Sequence, residues 1–372
     1  MPCFVETSYN CNENSSLLLV IFTYIQICLR VIYPIYMQIV FAHFYSRLPR
    51  HLVLNLKRTI SLFPEHEVSL ITDQDSNQIY MAGLQIIKYN PSPNWHKIES
   101  SLSHPADFRN NFWFISLARF IAIAEISKEW TKSFLHIESD VLLAPDFPFE
   151  LFLSLKKDFA FPIVSQNQAI ASCLYIKNGD AAEELSRFTM DSVLSNNSTT
   201  DMHILKDFVN QHPEKVQVLP TAPYQFNAFQ NSSEEFLNQT KSAISHFNGI
   251  FDGFDIGRFL FGDDPRNDRG FSVLRRNDSR TYLDASKLDL RVREDRDFPS
   301  VRNSLDFSVL PIYSLHIHSK KLNIFRQNHT NKSIKKAVLN SKNKSKKVFS
   351  FSIFLKSLIL AVRRRIRNVR FL

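Results

Sequence analysis

The segment Phe134-Leu135-His136-Ile137-Glu138-Ser139-Asp140-Val141-Leu142-Leu143 decides how this chain is read. An apolar run leads into two carboxylates spaced i, i+2, and a second apolar run follows. The pattern predicts a buried strand that ends in an acidic turn at the edge of a sheet. Side chains two apart on extended backbone share one side, so Glu138 and Asp140 would leave the strand end together. Such a pair suits a hard divalent cation, Mn²⁺ or Mg²⁺, with water and a substrate phosphate in the remaining positions. The same pair also fits an exposed acidic turn that binds nothing.

Composition narrows the class. The 372 residues are 44% hydrophobic and 22% charged, which is globular and long enough for one large domain or two smaller ones. Cys3, Cys11, Cys28 and Cys173 show no paired spacing, so neither a zinc site nor a disulfide framework is indicated. The net charge of +9 belongs to the tail. Residues 320–372 hold 16 Lys/Arg and no Asp or Glu, leaving 29 basic against 36 acidic residues in the remainder, a net of −7. A body of that sign argues against a nucleic-acid enzyme with a basic face. A cationic end argues for contact with an anionic surface.

Before the acidic turn the pattern alternates strand and helix. Residues 17–30 form a short hydrophobic stretch, read as a helix or anchor, with a membrane span as the minority alternative. Residues 36–41 predict a first strand, Leu48–Phe63 a helix, Val68–Thr72 and Leu84–Lys88 two more strands. Strand, helix and strand joined by short loops predict a parallel α/β sheet, in which ligands sit at the carboxyl ends of strands. Asp73 closes one such end, as a base or ribose contact or as a turn-forming acid. Residues 90–110 predict a long loop. Residues 111–128 predict a helix apolar nearly all round, in which Arg119 needs an anionic partner or must snorkel.

After the turn, further strands are expected at Phe159–Val164, Ala171–Ile176 and Val216–Leu219, with a helix from Ala181 to Leu194. Asp201 opens another helix, as its capping carboxylate or as a general base. Five of the seven glycines fall between Gly249 and Gly270, a clustering that demands close backbone approach or positive φ. Asp252, Asp255, Asp263 and Asp264 are interleaved there with aromatics, a mixture that suits sugar binding or a structured loop. Residues 272–310 read as irregular. Ile312–His318 predicts a last strand with His316 and His318 on one face and Lys320 beyond it, placed to meet a diphosphate. The chain from 322 on reads as a flexible tail, ending in a basic amphipathic helix over its last two dozen residues.

Taken together, the strand–helix–strand opening, the Arg119 helix, the Glu138-Ser139-Asp140 turn and the late Leu315-His316-Ile317-His318-Ser319-Lys320 resemble a GT-A type glycosyltransferase. The segment from Phe251-Asp252-Gly253 to Gly262-Asp263-Asp264-Pro265-Arg266-Asn267 is similar to one found in bacterial enzymes of surface-polysaccharide type. The resemblance spans about residues 36–322, and Glu138 replaces the first acid of the usual Asp-x-Asp turn. It implies an α/β, GT-A-like (Rossmann-related), mostly parallel sheet flanked by helices. Residues 1–34 would be a hydrophobic extension, 35–165 the donor half, 166–322 the acceptor half and 323–372 the tail. It implies Mn²⁺ or Mg²⁺ on Glu138, Asp140 and His318, or His316 in place of the latter. A nucleotide-sugar donor, expected to be a UDP-sugar, would meet Asp73, Arg119 and Lys320. Asp255 and Asp263 would contact sugar, and Asp201, then Asp252, would serve as base toward a glycan or lipid-linked acceptor. The expected location is a cytoplasmic, anionic membrane face, peripherally or through an N-terminal anchor. A non-catalytic membrane-surface protein and a metal-dependent phosphohydrolase are the rival readings.

Overall fold

The computed structural model describes residues 37–344 except 46, 76–79, 107, 110, 224–228, 231, 265–280, 294–297 and 304–306. The N-terminal apolar stretch and the basic helix expected near the C-terminus lie outside the described residues, as do Arg266, Asn267 and Gly270. In chain order the helices are α1 Arg50–Leu62, α2 Pro93–Ser101, α3 Phe112–Ser127, α4 Phe149–Leu153, α5 Gly179–Ser195, α6 Asp201–Gln211, α7 Glu234–Phe247, α8 Asp255–Phe261, α9 Leu322–Phe325 and α10 Gln327–Lys344. The strands are β1 Gln38–His43, β2 Val68–Thr72, β3 Leu84–Lys88, β4 Phe134–Ile137, β5 Val141–Leu143, β6 Phe159–Ser165, β7 Gln168–Ala169, β8 Cys173–Ile176, β9 Val216–Leu219, β10 Ile250–Phe251, β11 Asp289–Val292, β12 Pro299–Arg302 and β13 Val309–His316.

The architecture is mixed α/β around a mostly parallel sheet flanked by helices. Its strand order is β3-β2-β1-β4-β8-β6, with β7 and β9 both paired to β6. β3, β2, β1 and β4 run parallel, β8 is antiparallel between β4 and β6, and β9 is again parallel to β6. Alternate side chains divide the core. Ile39 and Phe41 of β1 and Leu135 of β4 pack with Leu52 and Leu56 of α1. Val40 and Phe134 pack on the other face with Leu117, Phe120 and Ile121 of α3. A period of two in the strands meets a longer helical period on each side. β2 and β3 extend the sheet on one side of β1 and β4 lies on the other, so β1/β4 is a topological switch point, and crevices at such points hold ligands.

A second sheet carries the acidic turn. β13 pairs with β10 in parallel and with β12 antiparallel, while β5 lies antiparallel along its end, Val141 opposite His316 and Leu143 opposite Ser314. The turn is clamped from behind by polar side chains of α1. Asn55 Nδ2 donates to the carbonyls of Val141 (2.7 Å) and Ser139 (3.3 Å). Arg58 donates to Leu143 O at 2.7 Å, and burial lowers the pKa of its guanidinium to about 10. These groups give partners to strand-edge carbonyls that would otherwise be buried unpaired.

Three elements depart from expectation. Residues 93–101, read as loop, form α2, because Ser92 caps the helix by accepting from Trp95 N and Pro93 sits where its missing N–H costs nothing. Residues 289–302, read as irregular, form the antiparallel pair β11–β12. The tail begins later than expected, since α10 buries Ile334, Ala337 and Val338 against the body.

Replacing Asn55 by Ala removes its hydrogen bonds to Ser139 O and Val141 O and should lower unfolding stability by about 1–3 kcal/mol. The exposed Lys57→Ala on the same helix should stay within about 0.5 kcal/mol in the same urea titration. Equal effects of the two substitutions would mean that α1 does not hold the turn.

Candidate functional site

Glu138 and Asp140 follow β4 and precede β5, so the first lies at the carboxyl end of the central sheet. His316 is the last residue of β13. The β5–β13 register brings them together, with one donor atom from each of Glu138, Asp140 and His316 within 4.8 Å of the others. His316 Nε2 stands 3.3 Å from Asp140 Oδ1 and 3.6 Å from Glu138 Oε2. The other ring nitrogen, Nδ1, donates to Gly253 O at 2.7 Å, which presents Nε2 to the carboxylates. Fixing a histidine through its far nitrogen is how metal-binding imidazoles are oriented.

Gly257 makes that position attainable. A Cβ there would collide with the His316 carbonyl oxygen and crowd Asp252 Oδ2, so α8 approaches β13 closely only because this residue is glycine. Asp252 completes the joint: Oδ1 accepts from Ile256 N (3.0 Å), and Oδ2 from Gly257 N (2.7 Å) and His316 N (3.0 Å). It is 1% exposed, and burial pushes its carboxyl up to about 6 against the lowering influence of His316 and these amides. With both oxygens taken by backbone N–H groups, Asp252 ties α8 to β13, and the role of second base does not fit its place.

Two ion-pair chains surround the cluster. Arg119 of α3 donates to Glu138 Oε1 and Asp201 Oδ2, both at 2.6 Å. The anionic partner required for a guanidinium in an apolar helix is thus two carboxylates, one from the acidic turn. Lys320 Nζ lies between Asp140 Oδ2 (3.1 Å) and Asp264 Oδ2 (3.3 Å), and Arg109 also pairs with Asp264. Arg109 and Lys320 both adopt left-handed backbone, at φ 53° and 48°. Non-glycine residues hold that conformation at a cost of about 1–3 kcal/mol each, a strain that clusters at functional sites.

Charge sets the protonation of the cluster. Burial raises the Asp140 carboxyl, but Lys320 and His316 outweigh it and hold the group well below the usual carboxylate range. Burial lowers His316, yet Asp140 and Glu138 raise it to about 9. Burial raises Asp201, with Arg119 opposing. Thr200, not Asp201, caps α6, its side chain accepting from His203 N; this corrects the capping assignment and leaves the Asp201 carboxylate to Arg119.

His318 takes no part in the three-residue cluster. Its ring packs on His316 (4.3 Å between centroids) and Phe254 (5.7 Å). Of the two histidines expected beside the acids, His316 is the one that reaches them, because β13 ends at His316 and Ile317 N bonds to Asp140 O at 2.7 Å. Asp73 lies at the end of β2, accepting from Tyr45 N at 2.9 Å, on the strand-end side of the sheet but outside the cluster. Asp255 accepts from Thr281 Oγ1 at 3.1 Å, and Asp263 pairs with Arg258 at 2.5 Å. Asp264 joins the site as the shared partner of Arg109 and Lys320, and Arg109 joins it with little sequence signal. The Asp263-Asp264 pair after Gly262 marks an acidic loop, and nothing in the sequence around Arg109 distinguishes it from a surface cation.

No known protein family matches the chain, and no curated protein does. Among solved structures it is similar to the apo-form glycosyltransferase GlyE of Streptococcus pneumoniae TIGR4, at 16% identity and TM-score 0.34 over 50% of this chain and 45% of that one. It is similar to the PaToxG glycosyltransferase at 10% identity and TM-score 0.34, over 57% and 78% of the two chains. A cytidylyltransferase from Leptospira borgpetersenii serovar Hardjo-bovis gives 15% identity and TM-score 0.29 over 57% and 87%. This chain spans less than half the length of the GlyE chain, 45%. Likeness this distant assigns neither an activity nor a residue.

Arg119→Met leaves Glu138 and Asp201 buried without their cation and should cost about 3–5 kcal/mol in urea unfolding. Adding Asp201→Asn should return part of that loss. A single-variant loss below about 1 kcal/mol would show that Arg119 does not bind these carboxylates together.

Proposed function

We infer that this chain is a divalent-metal-dependent glycosyltransferase, of the hexosyltransferase kind, that moves a sugar from a nucleotide diphosphate to a glycan or lipid-linked acceptor. One observation carries the reading. Glu138, Asp140 and a tautomer-fixed His316 converge within 4.8 Å beside the switch point of a parallel sheet. Two carboxylate donors and one imidazole form a set that Mn²⁺ tolerates and that Mg²⁺ shares through its oxygens. A cation held there would act as Lewis acid on the leaving diphosphate.

The protein's own groups divide the remaining work. Lys320, beside Asp140, adds positive charge where the diphosphate would sit. Arg119 fixes the orientation of Glu138 and links it to Asp201. Asp73, at the end of β2, is placed for the nucleoside of a UDP-sugar. Asp201 has its proton affinity raised by burial, as suits a base that takes the acceptor hydroxyl's proton if configuration inverts. Asp255 and Asp263 are engaged by protein partners and would position sugar only through the loop they stiffen. The exposed Lys332 and Lys336 of α10, followed by eight further Lys/Arg and no acid over residues 345–372, suit an anionic membrane surface. A peripheral place at the cytoplasmic face, serving surface-polysaccharide synthesis, follows from that reading. Among the described residues no helix is long and apolar enough to cross a membrane.

The test is thermal melting of the full chain with UDP, GDP, CDP and dTDP, with and without Mn²⁺. A ligand that binds only the folded state stabilises it by about 2.7 kcal/mol at a hundredfold excess over Kd. One nucleotide should raise Tm only with Mn²⁺, and Asp140→Asn should abolish the rise. Absence of any metal-dependent rise in the folded protein would refute the reading. Release of phosphate from the nucleotide would favour the phosphohydrolase.

A further inference from the structure

We propose that Asp264 is a positioning residue for the ion site: it draws the Lys320 ammonium off Asp140 when a divalent cation binds there and keeps it beside the site, a role that deepens the metal-dependent transfer proposed above and rests on it.

Asp140 cannot serve Lys320 and a divalent cation equally. Its Oδ2 lies 3.1 Å from Lys320 Nζ, and its Oδ1 lies 3.3 Å from His316 Nε2. A doubly charged ion on this carboxylate would meet the ammonium at close range, in a buried setting where screening is weak. The lysine must therefore move. Asp264 Oδ2 stands 3.3 Å from the same Nζ. A small swing of the flexible lysine stem passes the ammonium from one acid to the other and leaves its charge in the site.

Local structure brings the second acid to that place. α8 ends at Phe261, and Gly262 turns the chain at φ 86°, in the left-handed region that glycine favours. Lys321 Nζ donates to Phe261 O at 2.8 Å, which laces the segment after β13 to the end of α8. Lys320 N donates to Ile317 O at 2.9 Å, so its backbone is fixed by the turn that follows β13. Arg109 pairs with the Asp264 carboxylate and anchors it, 2% exposed. An acid needed only to balance Arg109 has no use for Lys320, and a lysine needed only to balance Asp140 has no use for Asp264. One ammonium within reach of both acids is what a transfer between them requires.

Two consequences separate this role from a general field of charge. Without Asp264, Lys320 keeps Asp140 as its acid and competes with the ion for it. Without Lys320, Asp264 has no lysine to hold, and its loss ceases to affect the ion.

The experiment titrates Mn²⁺ into the full chain and reads the free ion by electron paramagnetic resonance, for the unaltered protein, Asp264→Asn, Lys320→Met and the double variant. Asp264→Asn should weaken Mn²⁺ binding about tenfold. The double variant should bind within about twofold of Lys320→Met alone. An equal loss in both backgrounds, or no loss in either, would overturn the role of Asp264. Lysine acetylation read by mass spectrometry follows the same event without a substitution. Lys320 of the unaltered chain should stay as protected with Mn²⁺ as without it, against the exposed Lys332 as reference. Labelling that climbs to the Lys332 level on adding Mn²⁺ would show the lysine leaving the site and would overturn the role equally. Mn²⁺ binding with additive losses refutes Asp264 and leaves the ion site standing. No Mn²⁺ bound by the unaltered chain refutes the ion site, and the role of Asp264 with it.

Discussion

The antiparallel pairing of β5 with β13 sets Val141 opposite His316, and the arrangement of the acidic turn follows from it. The turn after β4 and the end of β13 are far apart in sequence, and this short ladder brings Glu138, Asp140 and His316 within reach of one another. Much of the surrounding structure supports the ladder. Asn55 and Arg58 hold the outer edge of β5 from α1, Asp252 holds the His316 amide, and Gly257 lets α8 come close enough for Asp252 to do so. A shift of one residue would turn the wrong side chain toward the acids, because a strand's period is two.

Electrostatics supply the second constraint. Glu138, Asp140, Asp201 and Asp264 form a concentration of buried or nearly buried carboxylates that would repel one another unaided. Arg119, Lys320 and Arg109 are interleaved among them so that each cation reaches at least one acid. The pairs contribute placement more than net stability, since desolvation offsets much of the attraction. Arg109 and Lys320 meet on one carboxylate, that of Asp264, from left-handed backbone. Local strain is thus accepted to bring charge to this place.

The central sheet could be read because short apolar runs such as Val68–Thr72 and the almost wholly apolar α3 have few alternatives. What could not be read depended on pairing. The Ser92-Pro93 start of α2 looks like a loop because capping residues and turn residues are the same residues. β11 and β12 carry charged residues and are strands through their ladder to each other and to β13. His316 and His318 are equivalent under a period of two, so sequence could offer both but not choose; the end of β13 chooses. Asp264 and Arg109 owe their place to a contact across 155 residues, which no local pattern encodes.

The proposed transfer rests on a divalent ion held by Glu138, Asp140 and His316, and not by His318. Pulsed electron paramagnetic resonance of the Mn²⁺-loaded chain measures it most directly, through the nitrogen coupling of a bound imidazole. The expected result is a nitrogen modulation that disappears in His316→Gln and persists in His318→Gln. A modulation that persists in His316→Gln, or no bound Mn²⁺ in the unaltered chain, would contradict it.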